Sequence, residues 1–444
     1  MNELLQLAEI LQARAGALDA RILEKLRLHV ADTVAAWIAS AQTAEGRALI
    51  AFRDRMKRRS AGRDVALDVA TNCALVRLSE IDDIHLRSMT TPGSIAISAA
   101  ITLATQLPNV DGGDVVPAML AGYEAMTRLG LAIDGPKVLY RGIWPTYFGA
   151  GFAAAAVAAR LLRLSPAQTA QALALALTMA APSVGQHHAA TTARWFLVGN
   201  AARNGLTAAF AAQSGFSADL EILRSRLFPE VYGIEPDITA IADSALVFPE
   251  VSLKPWCAAR QTMAATQGLR EILHAGVRAS DVSQITAYVL PPHLRMIDHG
   301  VTAGDRASYL TSLPYQLSLA ASQPEGGSDL AAAAPPPSIH AFMARIKVVA
   351  EEALLADYPS RWPARIVVET ASTRHERQID CIPGDPARPL TEADIQAKFR
   401  RFTAAAIGRA DEKVLHLSLT APHSPQSLAL LMREIDHVMV RAMT

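Results

Sequence analysis

Apolar side chains recur every three to four residues through most of the first half of the chain. Ile22, Leu26, Val30, Val34 and Ile38 fall on one face at that spacing and predict a helix over 20–41. Ser165-Pro166-Ala167-Gln168 reads as a capping box with proline at the first helical position, so a further helix opens there and runs to 180. Pro92-Gly93, Gly112-Gly113, Gly142, Pro145 and Gly185 punctuate the region. The alanine-rich runs AAAAVAAR, ALALAL and AAFAAQ allow helix axes to come close, so residues 1–225 are predicted to be a packed succession of helices.

The pattern changes after about residue 250. QITAYVLP (284–291), ARIVVETAS (364–372) and HERQIDC (375–381) alternate and are rich in β-branched residues, which predicts strands. Helical spacing returns at 259–275, 304–321 and 338–348, and 323–337 is a Gly/Pro-rich loop. Thr391-Glu392-Ala393-Asp394 opens a helix and Ser424-Pro425 opens the last one. The predicted fold class is mainly α. A large helical-bundle domain is built from both chain ends, 1–268 and 392–444, with a smaller α+β domain inserted at 270–390.

Composition narrows the function. The chain has 444 residues, 51% of them hydrophobic, which is ample for more than one core. Lys plus Arg and Asp plus Glu balance at 42 each, so there is no basic field to attract nucleic acid. Only seven residues are Lys, which singles out any Lys beside a site. Cys73, Cys257 and Cys381 are far apart and odd in number, which suits a reducing compartment. The start, MNELLQLAEILQARAG, has no signal-peptide pattern, and the apolar stretches 151–164 and 171–182 are too short or interrupted to span a bilayer. The expected location is cytoplasmic, with no membrane or nucleic-acid partner.

Several segments carry a resemblance. They are Leu78-Ser79-Glu80-Ile81-Asp82-Asp83-Ile84-His85 with Thr91-Pro92-Gly93, Gly122-Tyr123-Glu124 with Arg128-Leu129-Gly130, and Arg141-Gly142-Ile143-Trp144-Pro145-Thr146. Gly199-Asn200-Ala201-Ala202-Arg203-Asn204-Gly205, Lys254-Pro255-Trp256-Cys257 and Ser312-Leu313-Pro314-Tyr315 follow in order. Together they resemble the MmgE/PrpD family. The resemblance implies a helical domain from both chain ends, a smaller α+β lid, an active site in the cleft between them, a homodimer, and no metal or organic cofactor. The family's reactions include dehydration of 2-methylcitrate, decarboxylation of cis-aconitate and epimerisation of iminodisuccinate. This chain departs from the pattern. It has Glu80 for the usual Asp, Ile84 for Thr, Thr91 and Trp144 for two His, and Arg194 for a Lys. Lys254 and Tyr315 are kept.

Chemistry assigns roles to these positions. Removing a proton beside a carboxylate needs a base, and cations to hold the spreading negative charge. Arg194 offers a planar fork for one carboxylate and cannot act as a base; its bland reading is an ion pair across the bundle. Lys254 is a second cation or, when desolvated, a base. Tyr315 is either a proton carrier or an ordinary core tyrosine. Glu80, Asp82, Asp83 and His85 form a tight acidic run in which one carboxyl should be pushed up if buried. His85 is the remaining general acid–base candidate. The run also has metal-ligand character, but no metal is expected. Thr91, Gly93, Ser94, Trp144 and Thr146 lie at two predicted helix starts, whose N–H groups suit carboxylate oxygens. His187-His188 reads as cleft rim, and Cys257 has no local His to activate it. The expected catalytic set is therefore Lys254, Tyr315, His85, Glu80 and Asp83, and the expected substrate-binding set Arg194, Thr91, Gly93, Ser94, Trp144 and Thr146. The function reads as a dehydratase-like lyase that abstracts a proton beside a carboxylate of a small di- or tricarboxylate, with an epimerase of the iminodisuccinate kind or a non-catalytic carboxylate-binding protein as alternatives.

Overall fold

A computed structural model describes residues 2–13, 19–59, 64–180, 191–323, 330, 336–407, 411–420 and 424–441. Gly185, His187, His188 and most of the 323–337 loop lie outside these residues. Two compact units emerge. The first comprises the described residues up to 180, Thr192–Leu253 and those from Thr391 onward; the second is chiefly Lys254–Leu390.

The first unit is helical. Ala20–Ser40 opens on Asp19, whose side chain accepts from the Arg21 amide, and it buries Val30, Val34 and Ile38 completely. Burying such a side chain contributes roughly 1.5–3 kcal/mol. Pro166–Thr178 begins with both bonds of the Ser165/Gln168 capping box. Pro145–Leu161 packs against Gly112–Ala132 on one side and Ala193–Gln213 on the other. Pro145–Leu161 and Ala193–Gln213 approach through glycine: a Cβ on Gly205 would fall 2.0 Å from the Gly151 carbonyl oxygen. The C-terminal helices Glu392–Ile407 and Asp411–Thr420 pack on Ala20–Ser40, and Pro425–Arg441 packs on Gly93–Gln106. Both chain ends thus contribute to one helical core. No helix among the described residues is long and apolar enough to cross a membrane.

The second unit holds an open four-stranded sheet of β1 (Val282–Val289), β2 (Ile346–Ala350), β3 (Ala364–Thr370) and β4 (Arg374–Ile379), in the order β2-β1-β3-β4. β1 pairs with β2 in parallel, and the other two pairings are antiparallel. Helix Arg260–His274 packs on β3 and β4, and Gly268 lets it sit close to Ile366. The helical pattern alone groups this helix, up to 268, with the first domain; its packing puts it with the sheet, and the division falls at Leu253–Lys254.

Two expectations need correction here. The segment 338–348 is not one helix: Pro337–Met343 is helical and Ile346–Ala350 is the edge strand β2. The Ile346-Lys347-Val348-Val349 run is short and only half buried, so its period is masked by the preceding helix. The predicted helix 304–321 divides into Arg306–Thr311 and Leu313–Ser322. Ser312 is extended there and caps the second helix, while Pro314 cannot donate back to the first.

Candidate active site

The acidic run lies in a tight turn after helix Val65–Leu78. Glu80 and Met89, neither of them glycine, hold left-handed φ values of 62° and 56°, at a cost of roughly 1–2 kcal/mol each. Ile84 pairs with Ser252 and His85 with Thr90 in isolated bridges that fix the turn. The three carboxylates do not share one site. Arg77 binds Glu80 at 3.0 Å and Asp82 at 3.2 Å through different guanidinium nitrogens. Asp83 accepts instead from the Gly93 amide (2.9 Å), the Tyr123 hydroxyl (2.6 Å) and His29 Nδ1 (3.0 Å). A carboxylate only accepts, so His29 carries its proton on Nδ1. Burial lowers the pKa of His29 against the pull of Asp83, so its ring is held neutral near pH 7. Gly93 is needed for its missing side chain: a Cβ would lie 2.5 Å from both Asp83 Oδ2 and Tyr123 Oη. Asp83 therefore anchors the start of helix Gly93–Gln106.

His85 is buried with both ring nitrogens engaged. Nε2 meets Glu250 at 3.3 Å, and Nδ1 meets the Ser88 hydroxyl at 2.8 Å. Nε2 must donate to the carboxylate, so Nδ1 is the acceptor. Burial lowers the His85 pKa, while the His85 bond and then Arg87 bring Glu250 down to about 2. This sets an acid dependence. An unfolded imidazole takes its proton near pH 6.5 and an unfolded glutamate near 4.5. In the fold both resist protonation, so the unfolded chain binds more protons. The stability from this pair is complete above pH 6.5 and is lost as pH falls through 4.5 towards 2. Glu250→Gln is expected to flatten the lower part of a urea-unfolding stability profile, the effect shrinking with salt because Glu250 is half exposed. An unchanged slope would mean that the bond is not made in solution.

The two helix starts meet. The Thr91 amide donates to Thr146 Oγ1 at 3.0 Å, the two hydroxyls lie 3.2 Å apart, and Ser94 Oγ closes on the Thr91 carbonyl at 2.7 Å. Trp144 is the N-cap of helix Pro145–Leu161 and makes no side-chain cap bond. Its ring stacks on Tyr147 one turn along, with centroids 5.4 Å apart and planes 20° apart. The Arg194 guanidinium lies over Trp144 at 5.2 Å and over Trp195 at 5.7 Å; Arg77 also lies over Trp195, at 5.7 Å. Tyr147 is buried, and its hydroxyl feels the charges of Arg77, Glu80, Arg194 and Asp82. One cluster in the first unit therefore joins Glu80, Trp144 and Arg194 with two residues absent from the expected site set, Arg77 and Tyr147. Family models for the MmgE/PrpD N-terminal domain and C-terminal domain match residues 6–232 and 256–420.

This chain belongs to the MmgE/PrpD family. Among curated relatives, cis-aconitate decarboxylase of Aspergillus terreus is 32% identical over 177 residues, covering 37% of this chain and 36% of that protein. Cis-aconitate decarboxylase-like protein oryM of Aspergillus oryzae is 31% identical over 153 residues, covering 33% and 31%. These matches span about a third of the length of each relative.

The other expected residues of this MmgE/PrpD chain lie in the second unit. Lys254 and Tyr315 are both buried. Tyr315 sits on helix Leu313–Ser322, its amide capped by the Ser312 hydroxyl at 3.3 Å and its ring edge-on to Tyr309 at 5.0 Å. Cys257 is buried beside Arg306, with Sγ 3.9 Å from a guanidinium nitrogen. Among the described residues, no three His, Cys, Asp or Glu are grouped to hold a metal ion. Arg77 was legible in the sequence as a cation three and five residues ahead of two acids. His29 was not, and Tyr123 figured only in the Gly122-Tyr123-Glu124 segment, since 54 and 40 residues separate them from the Asp83 they bind.

Proposed function

We propose that this protein is a lyase that acts on a small tricarboxylate of the cis-aconitate kind, by decarboxylation rather than dehydration. The observation that carries the reading is the Arg194 guanidinium, fixed against Trp144 and Trp195 beside the two joined helix starts. A planar cation held in this way is suited to binding a substrate carboxylate. The relatives named cis-aconitate decarboxylase and cis-aconitate decarboxylase-like protein support the same substrate class.

The choice between reactions rests on proton bookkeeping. Dehydration needs a base for the α-proton and an acid for the departing hydroxide. Decarboxylation breaks one C–C bond, spreads the electron pair over the neighbouring alkene and carboxylate, and then needs a single proton delivered to carbon. His85 spends both nitrogens inside the protein, and the family's two further His positions hold Thr91 and Trp144. Lys254 and Tyr315 remain the proposed proton carriers; in the first unit Arg194 is the proposed anion-binding group, because the Gly93 amide and the Ser94 hydroxyl are engaged by Asp83 and the Thr91 carbonyl.

The test is a panel of cis-aconitate, 2-methylcitrate, citrate and iminodisuccinate in D2O, with CO2 release and deuterium uptake followed together. CO2 and a singly deuterated product from cis-aconitate are expected. Rapid water loss from 2-methylcitrate would overturn the choice of reaction. Deuterium wash-in to iminodisuccinate without CO2 would make the protein an epimerase. Binding without turnover of any of the four would make it a carboxylate-binding protein.

A further inference from the structure

Helix Pro145–Leu161 begins with two aromatic donors that no described residue engages. The Trp144 indole nitrogen and the Tyr147 hydroxyl are both shielded from solvent and have no hydrogen-bond partner among the described residues. Trp144 as a whole is 8% exposed and Tyr147 is fully buried. A buried donor left unmade is costly, and such groups are rare enough in native structures to call for a reason. Packing alone does not supply one here, because phenylalanine would fill the same stack without the penalty. The surroundings suggest what is missing. The Arg194 guanidinium lies over the Trp144 ring at 5.2 Å, and Tyr147 answers electrostatically to Arg77 and Arg194 as well as to Glu80 and Asp82, the two acids that Arg77 binds. The helix start itself carries no side-chain cap, and a helix N-terminus has positive electrostatic character.

We propose that Tyr147, with Trp144 stacked against it, is a specificity-determining donor pair that receives one carboxylate of the substrate beside Arg194. Two neutral donors and a guanidinium complement two carboxylate oxygens without adding a second full charge. Tyr147 stays a donor at any working pH: burial pushes its hydroxyl up to about 12, against the opposing pull of Arg77. The proposal rests on the reading of this cluster as a carboxylate site, but not on which reaction follows. It also gives Trp144 a role other than filling the place of a lost histidine.

Tricarballylate (propane-1,2,3-tricarboxylate) separates the two ideas, since it has the carboxylates but neither the alkene nor the hydroxyl. Calorimetric titration of the wild type, Tyr147→Phe and Trp144→Phe with tricarballylate is paired with thermal melting of each ligand-free protein. Tyr147→Phe should weaken binding roughly ten- to a hundredfold, the scale of a hydrogen bond to a charged group. Its ligand-free melting temperature should be equal to or above that of the wild type, because an unmade bond has been deleted. Trp144→Phe should weaken binding in the same direction. Wild-type binding with unchanged affinity in both variants would overturn the donor pair and leave the carboxylate site standing. A lowered melting temperature in Tyr147→Phe would show that the hydroxyl has a structural partner, and would equally overturn it. A wild type that binds neither tricarballylate nor cis-aconitate would remove the carboxylate reading itself, and this proposal with it.

Discussion

Asp83→Ala is expected to destabilise the first unit by about 3–5 kcal/mol, the scale for stripping a buried charge from its partners. Three donors converge on that carboxylate from three distant parts of the chain: His29, Tyr123 and the Gly93 amide. All are buried, so none can turn to water when the acceptor goes. The substitution therefore leaves the backbone N–H unpaired and leaves the phenol and the imidazole with only each other, 3.3 Å apart. It also opens space at the start of helix Gly93–Gln106, which lies bonded to Thr146 through Thr91. Urea unfolding of wild type and variant at pH 7 measures the loss. A change below about 1 kcal/mol would show that these donors find other acceptors. Tyr123→Phe, which removes one of the three bonds, should lose a correspondingly smaller share.

This role for Asp83 marks where sequence reading stopped. Helical periodicity located helix Ala20–Ser40, whose residues from His29 onward are buried on every side, and the Ser165 capping box set its helix start to the residue. The strands at 282–289, 364–370 and 374–379 were legible as alternation over six or more residues. The edge strand at 346–350 was missed because five half-buried residues directly after a helix give too little period to separate. In the acidic run, spacing showed that Glu80, Asp82, Asp83 and His85 were close, but not where each would turn. Adjacent residues in a tight turn point different ways, so Asp82 reaches Arg77 while Asp83 reaches His29. His85 looked like a free base because its partner Glu250 lies 165 residues away. Tyr147 gave no signal: an aromatic in the first turn of an apolar helix is normally core, and only its unpartnered hydroxyl distinguishes it.

Arg194→Ala is expected to lower kcat/KM for cis-aconitate by about 10²- to 10³-fold, the range for removing one partner of a buried charged contact. The more discriminating variant is Arg194→Lys. The Arg194 guanidinium lies within cation–π range of two indoles, 5.2 Å from Trp144 and 5.7 Å from Trp195, and its planar fork offers directed donors as well as charge. An ammonium keeps the charge, but it is a compact point on a flexible stem and cannot stack in the same way. If direction matters, Arg194→Lys should recover less than about a tenth of wild-type activity, with the loss seen mainly in kcat, because misplaced binding is penalised at the transition state. If the site needs only a positive charge, Arg194→Lys should be near wild type. The indole geometry would then be a packing solution, and the carboxylate clamp would have to be sought at Lys254.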